Sequence, residues 1–287
     1  MATIVCVAVM LMLLAFSDAA TEAARTAAAC FATGVLPSLL PMVVLGNVWP
    51  ADTKTEHSSV GLWLRTALYG FAAGSPAAAR RAVDLRGCFG GKRWECALCL
   101  SGVMSPMFFT GTLAGWLGSV EEGRILLGIH WLGAIAAALI WRLFASEDTP
   151  APDAQSVPAA RCTLPEAIAR SVQPLLCVCG AMMVFSAAAG LLKSLLMVIV
   201  PAWTARHDNW LAAVWAVMEI GGGSSAVIRA YQKPHALLSA LCGFGGLSIW
   251  LQNLLFLQNS VRPAKLLGMR ALHGAVCYAL VRILNPF

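Results

Sequence analysis

The chain has 287 residues, of which 59% are hydrophobic and 12% are charged, and its mean hydropathy is +0.74. These values lie outside the range of soluble globular domains and exclude a chain built from separate soluble domains. The formal net charge of +6 is spread over connections between apolar segments, so it indicates membrane topology rather than a surface that binds nucleic acid. The sequence predicts a multi-pass integral membrane protein in contact with the lipid bilayer.

The first apolar segment runs from Thr3 to Phe16 and ends in small residues that resemble a signal-peptidase site. A signal peptide begins with a positively charged region, whereas the first basic residue here is Arg25. Residues 1–20 are therefore predicted to remain as a first helix.

Eight further segments are about long enough to cross a bilayer, which needs about 20 apolar residues. A polar, acidic and proline-containing linker from Ala145 to Asp153 divides them into two sets of four. Leu164 to Val200 is too long for one simple span. The segments are Ala23 to Val48, Val60 to Ala79, Trp94 to Leu117, Arg124 to Phe144, Leu164 to Val200, Trp210 to Ala230, His235 to Leu257 and Lys265 to Leu284.

Four sequence blocks occur in the same order in both sets. They are Gly74 to Arg80 with Gly223 to Arg229, Ala97 to Ser105 with Ala240 to Ser248, Leu126 to Arg142 with Leu266 to Arg282, and, more weakly, Pro37 to Leu39 with Pro174 to Leu176. The repeated halves are residues 22–145 and 165–287. Duplicated halves with broken hydrophobic segments at corresponding positions are typical of transporters with a central binding site.

The Val60 to Ala79 segment is predicted to be a re-entrant hairpin, because Gly70, Gly74 and Pro76 interrupt it. Three crossings and one hairpin in each half invert the second half relative to the first. With a cytoplasmic N-terminus, ten basic residues lie in inner connections and five in outer ones, as the positive-inside rule requires. We predict an all-α fold of two inverted-topology repeats, each with a re-entrant helical hairpin and a broken transmembrane helix.

The interrupted blocks carry a family resemblance. They are Leu36 to Pro41, Gly74 to Arg80, Ser105 to Phe109 and Phe244 to Gln252. In these blocks the chain resembles the integral membrane sporulation proteins of the YlbJ type, the stage V dipicolinate transporter family. Their gate, or nucleoside-recognition, domain is shared with concentrative nucleoside transporters. The chain departs from the commonest family pattern at Ser75, Ala78 and Arg80, and it has Gly102-Val103-Met104 where the family often has an Asn pair.

The resemblance implies a secondary or facilitated transporter of dipicolinic acid, a small aromatic dicarboxylate, during spore formation. It places the protein in a bacterial cell membrane, specifically the outer forespore membrane. A transporter of nucleosides or of another small anion with the same gate domain is an alternative. From a different class, the chain would be a non-transporting scaffold subunit that needs a membrane partner. A homo-oligomer is also compatible with the sequence.

The substrate is predicted to bind at the interruptions, because broken helices present free N–H groups and the positive ends of their dipoles. Ser224 and Ser225 are predicted to cap the half-helix that follows them. In the alternative interpretation, small residues only permit close helix packing and amides join helices. The predicted ligand residues are Gly74, Ser75, Pro76, Ser105, Gly223, Ser224, Ser225, Gly245, Gly246, Ser248, Gln252 and Asn253.

Charged residues inside membrane segments are candidates for function. Glu219 is the only carboxylate in the middle of a candidate membrane segment, and it is predicted to relay a proton or to bind a coupling cation. In the alternative interpretation Glu219 pairs with Arg229 or lies at the membrane interface. Arg80 and Arg229 occupy equivalent hairpin ends and would attract an anion or anchor at the interface.

Enzymatic motifs are absent from the sequence. It contains no phosphate-binding loop, nucleophile elbow or zinc-protease helix, so neither an enzyme nor a cofactor is expected. Cys96-Ala97-Leu98-Cys99 has a C-x-x-C spacing but lacks a fourth ligand and a polar shell, so no metal site is predicted. His130 and His273 are predicted to be ordinary helix-contact residues.

Overall fold

A computed structural model describes residues 2–48, 59–84, 91–145, 162–257 and 260–287. These residues form fifteen α-helices and two π-helical stretches, and no strand occurs among them. Four of the described helical segments are long and apolar enough to cross a membrane, and a bent pair supplies a fifth candidate span. The all-α prediction is therefore confirmed. The number of helices that are long and apolar enough to cross a membrane is consistent with a multi-pass membrane protein.

The helices follow the predicted segments closely. Those of the first half are α1 (Ala2–Ala15), α2 (Ser17–Cys30), α3 (Leu36–Val48), α4 (Ser59–Ala73), α5 (Ala77–Asp84), α6 (Gly91–Ser101), α7 (Ala114–Leu117) and α8 (Val120–Phe144). Those of the second half are α9 (Leu164–Ile199), α10 (Pro201–Arg206), α11 (Asp208–Met218), α12 (Ile220–Ala230), α13 (His235–Phe244), α14 (Gly246–Leu257) and α15 (Pro263–Leu284). The π-helical stretches are Phe31–Val35 and Phe108–Leu113.

The N-terminal helices are bent at a defined point. The axes of α1 and of the helix that begins at Ser17 meet at 92°. The first π-helical stretch, Phe31–Val35, directly precedes α3, where Pro37 cannot donate a backbone N–H to the carbonyl group four residues earlier. A locally widened turn accommodates the missing bond, so the predicted Ala23 to Val48 segment is one helical path with a π-helical interruption.

Helix α9 is a single helix of 36 residues. At a rise of 1.5 Å per residue it is about 54 Å long, whereas the hydrocarbon layer is about 30 Å thick. Thr163 and Glu166 form a capping box at its start, and the Glu166 carboxylate accepts the Thr163 backbone N–H at 2.9 Å. The helix therefore extends beyond the bilayer thickness without a break.

The outer faces of the long helices are apolar. Leu143, Phe144 and Ile283 each expose more than three quarters of their side-chain surface, and Val184 on α9 exposes 64%. Contiguous exposed apolar surface is unusual on a soluble monomer, and lipid tails are the environment that such surface favours. These faces support contact with the bilayer.

Helices α11 and α12 fold back on each other at Glu219. A methyl group built on Gly223 would lie 2.2 Å from the Ala216 Cα atom, so the two backbones touch with no side chain between them. In the first half, α4 and α5 are joined by a turn at Gly74, Ser75 and Pro76. The predicted equivalence of Gly74 with Gly223 is therefore wrong for the turns, because the second turn lies at Glu219, four residues before Gly223.

The charge count also needs a correction. One of the ten basic residues counted in the inner connections is Arg270, which lies inside α15 and is 2% exposed. Nine inner basic residues then remain against five outer ones, which keeps the direction of the bias. Lys54, Arg86 and Arg161 contribute to this count but lie outside the described residues, as does the predicted linker after Ala145.

Candidate functional site

The first hairpin consists of α4 and α5, and the first broken helix is interrupted between Ser101, the end of α6, and Phe108. The turn of this hairpin lies on that break. The Ser75 backbone N–H donates to the Val103 carbonyl at 2.7 Å. A methyl group built on Gly74, which has a φ of +70°, would lie 2.4 Å from the Ser105 backbone nitrogen. Only glycine fits at this position, because a side chain would be both strained and sterically blocked.

The second hairpin meets the second broken helix in the same way. Helix α13 ends before Gly245, and α14 begins at Gly246. A methyl group built on Gly246 would lie 3.2 Å from the Ile220 backbone nitrogen and 3.3 Å from the Ala216 carbonyl oxygen. The Ser75 hydroxyl also donates to the Asn253 side-chain carbonyl on α14, which connects the two halves.

A cavity of about 50 Å³ lies where these four interruptions meet. Of the described residues that line it, Glu219 alone carries a formal charge. The cavity brings together five of the predicted functional residues, and their role in binding stays a prediction. Its lining is Val35, Leu39, Ser75, Met104, Ser105, Phe108, Val178, Met182, Glu219, Ile220, Gly221, Ser248, Ile249 and Gln252.

Glu219 caps α12 with its carboxylate and is 1% exposed. One carboxylate oxygen accepts the Gly221 N–H at 2.7 Å, and the other accepts the Gly222 N–H at 2.7 Å. The first N–H groups of a helix have no partner within the helix, and the dipole there favours a negative charge. These bonds hold the carboxylate at the edge of the cavity.

Glu219 forms no ion pair with a described basic residue. Arg229 is exposed near the other end of α12 and donates to the Ser225 hydroxyl, so the alternative pairing of Glu219 with Arg229 is wrong. A second buried carboxylate, Glu95, differs from it. The Trp141 indole N–H donates to Glu95 at 2.9 Å, and Lys265 forms an ion pair with it.

Ser248 presents a free hydroxyl group to the cavity. Its side chain is 0% exposed, and its oxygen has no hydrogen-bond partner among the described residues. Buried polar groups normally have a partner, so an unpaired one that lines a cavity is a candidate ligand contact. The neighbouring Ser105 hydroxyl already accepts the Met107 N–H at 3.3 Å.

Several predicted site residues lie away from the cavity. Ser224 is buried inside α12, and Ser225 accepts a hydrogen bond from Arg229. The prediction that these serines cap a half-helix is wrong, because the cap is Glu219. Gly223 packs on α11, as described above.

The two arginines predicted to attract anions line separate surface grooves. Arg229 contributes to a groove of about 270 Å³ together with Lys193 and Trp215. Arg80 contributes to a smaller groove of about 40 Å³ together with Asn47. Neither arginine lines the central cavity.

Arg270 is a buried cation that the sequence interpretation missed. Its Nε donates to the Phe244 carbonyl at 3.1 Å. A methyl group on Gly102 would lie 2.4 Å from one terminal guanidinium nitrogen, and one on Gly245 would lie 2.4 Å from the other. The guanidinium therefore lies between the C-terminal ends of α6 and α13. Each helix end carries about half a negative charge, which favours a cation there. The two terminal guanidinium nitrogens have no hydrogen-bond partner among the described residues.

This geometry explains why the breaks at Gly102 and Gly245 contain glycine. The signal for Arg270 was present in the sequence, since a basic residue in the second turn of an apolar helix normally marks a function or a partner. That partner consists of two helix ends formed by residues more than 20 positions away in the chain, which the sequence alone does not reveal.

We expect Gly102→Ala to destabilise the protein by about 1–3 kcal/mol, because its methyl group overlaps the Arg270 guanidinium. In an Arg270→Met background the same change should cost much less, since that overlap is gone. Thermal unfolding in detergent of the wild type, the two single variants and the double variant measures the coupling between Gly102 and Arg270. Gly128→Ala is the control, because a methyl group at Gly128 meets no atom within 4 Å. An equal cost in both backgrounds would contradict the assigned contact.

His130, His273 and Cys277 form a buried cluster whose candidate ligand atoms lie within 4.8 Å of one another. The His130 Nε2 atom accepts the Met104 N–H at 2.9 Å, so the neutral ring carries its proton on Nδ1 and has no lone pair left for a metal. The His273 Nε2–H group donates a hydrogen bond to the His130 carbonyl at 2.9 Å. These bonds favour the predicted role of both histidines as contacts between α8 and α15.

The chain matches no protein-family model, no curated protein and no solved structure. Its function is therefore inferred from the geometry of the cavity and from the sequence blocks.

Proposed function

We propose that the protein is a secondary transporter with its central site in the cavity between the two hairpins and the two broken helices. The convergence of four chain interruptions on one cavity carries this proposal. Irregular backbone at membrane depth is tolerated where protein or a water-filled cavity covers it, and transporters place their sites at such breaks. In this proposal residues 22–145 and 165–287 are inverted repeats with re-entrant hairpins, supported by the hairpin-to-break contact that occurs in both halves.

The first candidate substrate is a small aromatic dicarboxylate, dipicolinate. Two observations support an anion. The start of α12, beside the cavity, already binds one carboxylate, that of Glu219, and Arg270 lies between the negative ends of α6 and α13. At about 50 Å³ the cavity holds water but no aromatic ring, because pockets for small molecules measure about 300–1,000 Å³. In this proposal the cavity must widen to admit the substrate, so transport requires the hairpins to separate from the broken helices.

A nucleoside is the second candidate, and the chemistry of the cavity favours it in one respect. The only formal charge on the described lining is the negative charge of Glu219, and the other polar side chains are three hydroxyls and one amide. These neutral groups would suit an uncharged sugar and base. A dicarboxylate would need Glu219 to be neutralised, so coupling to a cation or a proton is part of the first proposal.

Uptake by proteoliposomes that contain this chain alone tests the function. We expect saturable uptake of labelled dipicolinate that excess unlabelled dipicolinate suppresses and that empty liposomes lack. Uptake of uridine without dipicolinate would favour the nucleoside transporter. Uptake of neither, with rescue by a co-purified membrane protein, would favour the scaffold subunit and overturn the proposal.

Two serine variants distinguish a hydroxyl that contacts the substrate in the cavity from one that is only buried. We expect Ser248→Ala to weaken dipicolinate binding about 3- to 10-fold, the size expected for one lost hydrogen bond. The control is Ser224→Ala, because Ser224 is equally buried but does not line the cavity. Calorimetry on the detergent-solubilised variants measures both affinities. A larger effect of Ser224→Ala would place the site elsewhere in α12.

A further inference from the structure

The hydrogen bonds of Glu219 are those that a bound carboxylate ligand would make. Both oxygens accept backbone N–H groups at 2.7 Å, which is the short distance of charge-assisted bonds. The donors belong to the start of an eleven-residue helix, where anions commonly bind. We propose that Glu219 is a tethered substitute for a substrate carboxylate, which takes over the N–H groups of Gly221 and Gly222 when Glu219 is protonated. This inference rests on the proposed transport function.

A comparison with Glu95 supports the exchange. Glu95 is paired with the Lys265 cation and the Trp141 indole, so its departure would leave the half-buried Lys265 cation without its partner. Glu219 has only backbone donors as partners, and any carboxylate of suitable size would satisfy them equally well. Exchange of one carboxylate for another therefore keeps the N–H groups of Gly221 and Gly222 paired.

Ser248 provides an independent indication of a ligand. Its hydroxyl lines the same cavity, is fully buried and has no partner among the described residues. A carboxylate bound to the two N–H groups would bring further oxygen atoms into this cavity, where the Ser248 hydroxyl could donate to one of them. The bound carboxylate group and its neighbouring oxygen atoms would then contact both the start of α12 and the start of α14.

Protonation is the step that frees the donors. A neutral carboxylic acid accepts hydrogen bonds more weakly than a carboxylate and loses its attraction to the helix dipole. One proton from the solution binds Glu219, the acid leaves the N–H groups, and the substrate carboxylate binds them. Release of substrate and proton on the other side restores the starting state, so one proton moves with each substrate.

The surroundings of Glu219 contain little else that titrates. The Cys30 thiol on α2 is the described titratable side chain whose charge interacts with it. The described lining contributed by α3, α9 and α14 contains neither acidic nor basic side chains. A proton-dependent change in carboxylate binding at this cavity would therefore report on Glu219.

Binding of acetate to Glu219→Ala tests the inference without any transport. Removing the side chain leaves the two N–H groups free, so acetate should raise the unfolding temperature of this variant saturably, and uncharged acetamide should not. Wild-type protein near neutral pH should respond little, because its own carboxylate fills the site. Glu95→Ala is the matched control, because it removes a buried carboxylate that does not line the cavity. No response to acetate, or an equal response in Glu95→Ala, would overturn the proposal.

A second measurement keeps the test decisive if Glu219→Ala does not fold. The ordinary carboxyl pKa is about 4. As the pH falls from about 8 to about 6, the affinity of the wild type for dipicolinate should therefore rise, toward a limit of about tenfold per pH unit. Glu219→Gln should remove this dependence, and equal dependence in both proteins would overturn the exchange. Acetate binding without dipicolinate uptake would instead refute the transport function and leave the site assignment standing.

Discussion

Glu219→Gln is expected to abolish proton-coupled accumulation of dipicolinate while leaving the protein inserted and folded. Glutamine has nearly the same shape and keeps one oxygen acceptor for the start of α12, but it neither binds nor releases a proton. Since Glu219 is the only charged residue on the described cavity lining, no other lining group can replace it. Uptake should fall to the level of empty liposomes when a pH gradient is the only driving force.

Two controls accompany this measurement. Glu22→Gln removes an exposed carboxylate that pairs with Arg25, and it should leave uptake unchanged. Thermal unfolding in detergent should show that Glu219→Gln is folded. If the variant transports with unchanged dependence on pH and on sodium, Glu219 has only a structural role as a helix cap.

Gly74→Ala is expected to destabilise the protein by about 2–5 kcal/mol. The positive φ of +70° costs about 1–2 kcal/mol for a residue with a side chain, and overlap with the Ser105 backbone adds about 1–3 kcal/mol. The overlap involves backbone atoms, so it cannot be relieved by a rotamer change. Relief would require the first hairpin to move away from the first broken helix.

Gly118→Ala isolates the contribution of the contact. Gly118 has nearly the same φ, +71°, but a methyl group there meets no atom within 4 Å. Gly118→Ala should therefore lower the free energy of unfolding by about 1–2 kcal/mol, the conformational cost alone. Unfolding temperatures in detergent and dipicolinate uptake should both fall more for Gly74→Ala. Equal effects of the two substitutions would show that the contact between Gly74 and Ser105 contributes nothing to stability.

The sequence by itself determined the class of protein and the positions of its helices. Apolar runs interrupted by glycine and proline are local patterns, and helix formation in a nonpolar environment depends mainly on local hydrogen bonds. The segments were therefore predicted with small errors at their ends, and the interruption at Gly74 and Pro76 was predicted. Gly70, which was predicted to interrupt the same segment, lies inside α4. The polar residues that line the cavity were also among the candidates, because serine, glutamine and glutamate are conspicuous in apolar helices.

Only the tertiary structure decided how these residues are arranged. Gly223 was matched to Gly74 by sequence, yet it lies inside α12, because the Glu219 carboxylate starts that helix four residues earlier. Arg270 looked like a residue of a polar connection, but two distant helix ends provide the partial negative charges that allow its burial. Ser224 and Ser248 have similar sequence surroundings, and only Ser248 lines the cavity. Each of these outcomes depends on contacts between segments far apart in the chain, whose register no local pattern contains.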